Sequence, residues 1–142
     1  MLLKKYLNLK DLLFDIRSFG ITNLMTERRK QFTPASVFKI IERNLKKYRQ
    51  FITTDDVTFQ NGIIRLEING RRTNIKSQLL LGFFSVGRAI QKSSYPFREV
   101  QIIIYYEIKE SQQLVVTASI DKVLKLAQGR LGSEQFFNEI GY

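Results

Sequence analysis

The pair Asn61-Gly62 constrains the fold more than any other feature, because it separates two stretches of alternating apolar residues. Asn-Gly adopts the positive φ angles of a two-residue type I′ turn, which favours a β-hairpin. Pairing Gln60 with Ile63 then places Val57 opposite Leu66 on the core side. The residues expected on the opposite face are Asp56, Thr58, Arg65 and Glu67.

Helical spacing governs the segments on either side of this hairpin. An amphipathic helix is expected within residues 1–20, ended by Gly20, and its apolar face would pack on the core or detach to contact another surface. A second helix begins at Thr33-Pro34, an N-cap followed by proline at the first helical position. Its apolar stripe consists of Val37, Ile41, Leu45, Tyr48 and Ile52.

The second half of the chain completes an α+β pattern. A broadly apolar helix is expected over 75–90, then two strands over 100–108 and 114–120, then short helices over 121–128 and 133–140. The order is α-α-β-β-α-β-β-α-α. We therefore expect residues 1–142 to form one compact α+β domain, with a mainly antiparallel sheet and helices packed on it.

The composition excludes several common catalytic mechanisms. The 142 residues include no Cys and no His, which excludes a histidine triad, thiolate nucleophiles and His- or Cys-ligated metals. No glycine-rich phosphate loop is present, so we expect neither a cofactor nor an enzyme. No segment reaches the ~20 uninterrupted apolar residues of a membrane span, and no export signal is evident. A cytoplasmic protein without an integral membrane segment is the default.

The charge points to a polyanionic partner. Lys and Arg outnumber Asp and Glu by 23 to 13, a formal net charge of +10. Such an excess attracts nucleic acid, whether DNA or RNA, or an acidic protein surface. We expect a basic, non-enzymatic nucleic-acid-binding protein that contacts phosphates through a cationic helix face and loops. The candidate residues are Arg28, Arg29, Lys30, Lys39, Arg43, Lys46, Lys47, Arg71 and Arg72.

Two alternatives remain open. The apolar terminal helices would suit an assembly or adaptor protein that docks on partner subunits, including a homo-oligomer. A metal-dependent nuclease would use Asp56 and Glu67, which face each other across the hairpin, or Glu107 in the tripeptide Glu107-Ile108-Lys109. Glu99 lies on the same strand as Glu107, about 26 Å away at ~3.3 Å per residue, too far to share a metal.

Aromatic residues offer a further means of binding bases. Tyr48 and Tyr106 fall at core spacings, and we expect them to be packed inside, whereas Tyr95 and Tyr105 are better placed for stacking. The strand–helix–strand unit over residues 63–108 resembles KH-like nucleic-acid-binding folds in outline. It lacks the Gly-x-x-Gly clamp of KH domains, so we do not assign it to that family.

Overall fold

The computed structural model describes residues 33–70, 74–91, 93, 95–107 and 109–142. The order of elements agrees with the expected one from the second helix onward, and the helix expected within residues 1–20 lies outside the described residues. The elements are α1 (Pro34–Lys46), β1 (Val57–Gln60), β2 (Ile63–Asn69), α2 (Ile75–Ile90), β3 (Glu99–Glu107), β4 (Ser111–Ser119), α3 (Ile120–Ala127) and α4 (Ser133–Ile140).

One four-stranded sheet has the order β1-β2-β3-β4. The hairpin has the expected register, with Val57 opposite Leu66, and Asn61 and Gly62 have φ angles of 54° and 79°. β2 and β3 are parallel, whereas β3 and β4 are antiparallel. Two of the three strand pairings are antiparallel, as expected of a mainly antiparallel sheet. The third is parallel, which makes the sheet mixed, because α2 carries the chain back over the sheet before β3 begins.

The helices cover one face of this sheet. The covered face is fully apolar at its centre and packs against α2, while the opposite face of β1, β2 and β4 is largely exposed. β3 is apolar on both faces in its middle, as expected of a central strand, and Ile103 on the open side is only 5% exposed. Among the described residues, no helix is both long enough and apolar enough to cross a membrane.

α1 begins as the sequence predicts but ends before the apolar stripe does. The Thr33 hydroxyl accepts a hydrogen bond from the Ser36 N–H at 3.2 Å. Tyr48 follows the end of the helix and is 68% exposed, so its expected core position is wrong. Arg49 adopts a φ of 61°, which turns the chain before Ile52 returns to the core. Tyr106, by contrast, packs against the core as expected.

α2 contacts its neighbours through small residues. A Cβ on Gly87 would lie 2.8 Å from the Ala127 Cβ and 2.9 Å from the Val123 carbonyl oxygen, both on α3. A Cβ on Gly82 would lie 3.2 Å from Ile102 in the sheet. The absence of side chains at these positions lets α2 approach both α3 and the sheet closely.

We expect Gly87→Ala to lower the free energy of unfolding by about 1–2 kcal/mol, measured by urea denaturation. Overpacking costs about 1–3 kcal/mol, and contacts under 3 Å that include a backbone oxygen place Gly87 in the upper part of this range, about 2–3 kcal/mol, against the ~1 kcal/mol that alanine gains in a helix. Gly132→Ala is the control for adding a methyl group without a contact, because a Cβ at Gly132 would meet no atom within 4 Å and the φ there is −72°. Gly132 is the N-cap of α4, so this control should lose about 0.5 kcal/mol, less than Gly87→Ala. Equal stability of the two variants would contradict the close packing of α2 on α3.

Candidate nucleic-acid interface

The cations expected on the second helix form one exposed face. α1 buries Val37, Ile41 and Leu45, and a rotation of 100° per residue places its cations on the side away from them. All four cations are exposed to solvent: Lys39, Arg43, Lys46 and Lys47. We call these four residues the α1 cationic face.

A groove of about 390 Å³ runs beside this face, between α1 and α2. Arg43 reaches it from α1 and Arg88 reaches it from α2. Its remaining lining residues are uncharged: Ser36, Ile40, Asn44, Ala89, Gln91 and Ser93. Two arginines from different helices therefore line one groove, and none of its lining residues among those described is acidic.

Arg88 is not among the cations that the sequence pattern selects. In the sequence, Arg88 stands out only as a charge that interrupts a long apolar segment, which is nearly as long as a membrane-spanning helix. Its position beside Arg43 depends on how the two helices pack. They run in opposite directions: the Gln78 amide near the start of α2 donates a hydrogen bond to Gln50, after α1, at 2.9 Å. The end of α2 therefore lies near the first turns of α1.

Most other cations of the fold are engaged by their neighbours. Lys125 lies 3.3 Å from Asp121, and Lys76 lies 4.0 Å from Glu134. Arg98 donates to the Asn61 carbonyl at 2.9 Å, and Lys122 donates to the Glu139 carbonyl at 3.0 Å. Within the described part of the chain, no ion pair or side-chain hydrogen bond involves the α1 cationic face. These cations are available to an external anion.

Exposed aromatic rings adjoin the cations. Phe84 is 37% exposed, and the Arg88 guanidinium lies 5.7 Å from the centre of its ring. Phe84 also lines a second, larger groove of about 930 Å³, together with Tyr48 and Arg49. Phe84 lines the larger groove and Arg88, one helical turn later, lines the smaller one, so this pair on α2 lies between the two grooves. This arrangement offers cations for phosphates and rings for bases side by side.

The described residues carry only part of the net charge: thirteen Lys and Arg against ten Asp and Glu. Five of the predicted contacts lie outside these residues, and their role stays a prediction: Arg28, Arg29, Lys30, Arg71 and Arg72. Gly70 and Asn74, which flank residues 71–73, both line the larger groove. The α1 cationic face and Arg88 are the part of the candidate site that the structure describes.

A Gly-x-x-Gly spacing, absent from residues 63–108, occurs at Gly129-Arg130-Leu131-Gly132 between α3 and α4. Gly129 has a φ of 76° and ends α3, while Leu131 is buried and anchors the turn. The Arg130 guanidinium donates to the Gln128 side chain at 3.3 Å. Arg130 is therefore engaged locally, unlike the α1 cationic face.

The open face of the sheet has a different character. Arg65 donates to Gln101 at 2.9 Å, and Gln101 donates to Thr117 at 3.3 Å, so one hydrogen-bonded row crosses three strands. The Asp56 carboxylate accepts a hydrogen bond from the Thr53 N–H at 2.7 Å, which closes the 3₁₀ turn before β1. Among the described residues, no group of three or more acidic side chains comes together that could hold a metal ion. The geometry gives the nuclease alternative no support.

Glu67 is also engaged on this face. The Tyr105 phenol lies close enough to the Glu67 carboxylate for the two groups to interact. Desolvation of the phenol, and then the charge and hydrogen bond of Glu67, raise the pKa of Tyr105 above its ordinary 10.0, while Arg65 opposes the shift. Glu67 therefore interacts with a neighbouring phenol rather than with Asp56.

We expect Glu67→Gln to lower the pKa of Tyr105, because the amide removes the negative charge that disfavours tyrosinate. Ultraviolet titration of the tyrosines, compared with a Tyr105→Phe variant to identify the transition, measures this change. Asp56→Asn is the control and should leave the transition in place. A shift in the Asp56→Asn variant equal to that in Glu67→Gln would contradict the assigned contact.

Comparisons with protein-family models, with curated proteins and with solved structures give no match for this chain. The functional argument therefore depends on the fold and on the residues described above.

Proposed function

We propose that the protein binds nucleic acid, DNA or RNA, through phosphate contacts and with limited sequence specificity. One observation carries this proposal: Arg43 and Arg88 meet around one groove beside the α1 cationic face, and the described residues offer these cations no anionic partner. Unpaired cations at a groove attract a phosphate backbone and release its counterions on binding. A cytoplasmic location without an enzymatic role is part of the same proposal.

The exposed rings favour a single strand as the ligand. Tyr48 and Phe51 are 68% and 67% exposed, and Phe84 lies directly beneath Arg88. Bases of a single strand are free to stack on such rings while phosphates follow the cations, whereas bases in a duplex are already stacked. Because every base has a π face, this mode of binding tolerates many sequences.

The adaptor alternative has a narrower structural basis. Phe136 and Phe137 of α4 are 0% and 4% exposed, so the final helix packs on its own core. Docking through residues 1–20 stays a prediction, because that segment lies outside the described residues. The described fold thus favours the cationic surface over the terminal helices as the binding element.

We expect the double variant Arg43→Glu/Arg88→Glu to lose most affinity for single-stranded DNA and RNA, measured by fluorescence anisotropy. Neutralising the same residues, Arg43→Gln/Arg88→Gln, should reduce the slope of log affinity against log salt by about 1.4, at ~0.7 per phosphate contact with a single strand. Both residues are exposed, so the fold should be retained, which circular dichroism checks.

The matched control is Lys109→Glu/Arg130→Glu, which changes the net charge equally at exposed positions away from α1. If this control loses as much affinity as the double variant, the attraction is a property of net charge rather than of the groove. Polyglutamate as competitor separates a nucleic-acid ligand from an acidic protein surface, because it offers charge without bases. Equal competition by polyglutamate would overturn the proposal.

We expect Tyr48→Ala to weaken single-strand binding about tenfold, within the ~1–3 kcal/mol that base stacking contributes. The salt slope should not change, because no charge is removed. Tyr142→Ala is the control: Tyr142 is 48% exposed but packs 5.4 Å from Phe137, on a different part of the surface. Unchanged affinity in Tyr48→Ala would remove this ring from the site.

A further inference from the structure

The free edge of β4 is unusually suited to pairing with another strand. Within the described part of the chain, β4 is hydrogen bonded only to β3 and forms one end of the sheet. Its nine residues, Ser111–Ser119, include no charged residue, no proline and no glycine. Proteins usually protect a long edge strand with lysine, proline, a bulge or a covering element. The sequence of β4 contains neither lysine nor proline.

The backbone groups that face this edge can be assigned from the ladder. The Ile120 N–H donates to the Arg98 carbonyl at 2.8 Å, toward the β3 side, and the N–H and C=O groups of successive residues point in alternate directions. The even-numbered residues of β4 therefore bond to β3. The residues whose backbone groups point outward are Ser111, Gln113, Val115, Thr117 and Ser119.

The opposite edge of the sheet differs. β1 has only four residues, and the acidic residues Asp55 and Asp56 come directly before it. A short edge flanked by charge is a poor template for a partner strand. α3, which follows β4, packs on Gly87 of α2 and therefore lies on the helix-covered face rather than along the β4 edge.

We propose that β4 pairs antiparallel with β4 of a second copy of this chain, about a two-fold axis at Val115. In this register Val115 faces its own copy, Gln113 faces Thr117 and Ser111 faces Ser119. Every outward backbone group of the strand then has a partner, because the outward residues are symmetric about Val115. A shift to either side leaves residues at the ends unpaired.

The side chains suit the same register. Val115 is 43% exposed at the middle of the open face, and pairing places two β-branched residues side by side. On the covered face Leu114 would face Val116, continuing the apolar surface. No like charges meet at any position of the pairing, because the strand has none. A second copy is thus a closer match for the whole edge than a strand with charged residues.

The net charge predicts how the affinity of this dimer depends on salt. Each chain carries +10, so two copies repel each other at low ionic strength. Salt screens that repulsion, so the dimer should become tighter as salt is added. Nucleic-acid binding shows the opposite dependence. The two proposals can therefore succeed or fail separately.

The test is sedimentation of the full chain over a range of concentrations and salt, with nucleic acid removed. We expect a monomer–dimer equilibrium that Val115→Lys weakens about tenfold or more, because two lysines would face each other across the axis. Thr58→Lys adds the same charge to the exposed face of β1 and should leave the dimer unchanged. Circular dichroism confirms that both variants are folded.

Cysteine cross-linking tests the register, and the absence of natural cysteines makes it unambiguous. Val115→Cys should form a covalent dimer with a short bifunctional thiol reagent, because facing residues of a hydrogen-bonded pair lie about 5.5 Å apart at Cα. A direct disulfide is the poorer probe, because it needs the Cβ atoms about 3.5–4.5 Å apart and side chains of hydrogen-bonded pairs are more widely separated. Gln113→Cys alone should not, since its two copies would lie about 13 Å apart along the strands. Gln113→Cys mixed with Thr117→Cys should cross-link.

Three results would overturn the proposal. The first is a monomer at every concentration together with no cross-link in Val115→Cys. The β4 edge would then contact residues 1–32 or solvent rather than a second copy. The second is an oligomer that Val115→Lys does not weaken, which would place the contact elsewhere. The third is equal cross-linking of Val115→Cys and Gln113→Cys, which would contradict the register.

Discussion

The packing of α2 between the sheet, α1 and α3 is the interaction on which the rest of the structure depends. α2 connects two parallel strands, so it must cross the sheet, and its face toward the sheet is buried along its whole length. Gly82 and Gly87 let it lie close to Ile102 and to the α3 backbone. α1 packs beside α2, and the groove lies between these two helices.

The two faces of the domain carry charge differently as a result. The helix layer presents five exposed cations that have no ion pair or side-chain hydrogen bond among the described residues: Lys39, Arg43, Lys46, Lys47 and Arg88. On the open sheet face, polar groups interact with one another instead. Arg65 is hydrogen bonded to Gln101, and Glu67 interacts with the Tyr105 phenol. Cations without an internal anion remain available to an external one, whereas groups that interact with each other are less so. The net charge of +10 alone does not make this distinction.

The proposed dimer and the proposed nucleic-acid site use separate parts of the fold. β4 is the last strand of the sheet, whereas the groove lined by Arg43 and Arg88 lies between α1 and α2, on the other side of α2 from α3. Sheet pairing would therefore leave both copies of the groove accessible. A symmetric pair of cationic surfaces would bind a long nucleic acid through both copies, which raises apparent affinity without any new contact.

Local features of the sequence determined the elements and much of the surface. Asn61-Gly62 set the hairpin register, Thr33-Pro34 set the start of α1, and helical spacing placed the α1 cations in solvent. The tertiary structure determined features that the spacing of residues along the chain does not specify. Tyr48 left the core because a left-handed residue at Arg49 ended the helical periodicity, and β2 and β3 became parallel because α2 crosses the sheet. Arg88 joined Arg43 only through the packing of two helices, since residues 45 positions apart along the chain share no local signal.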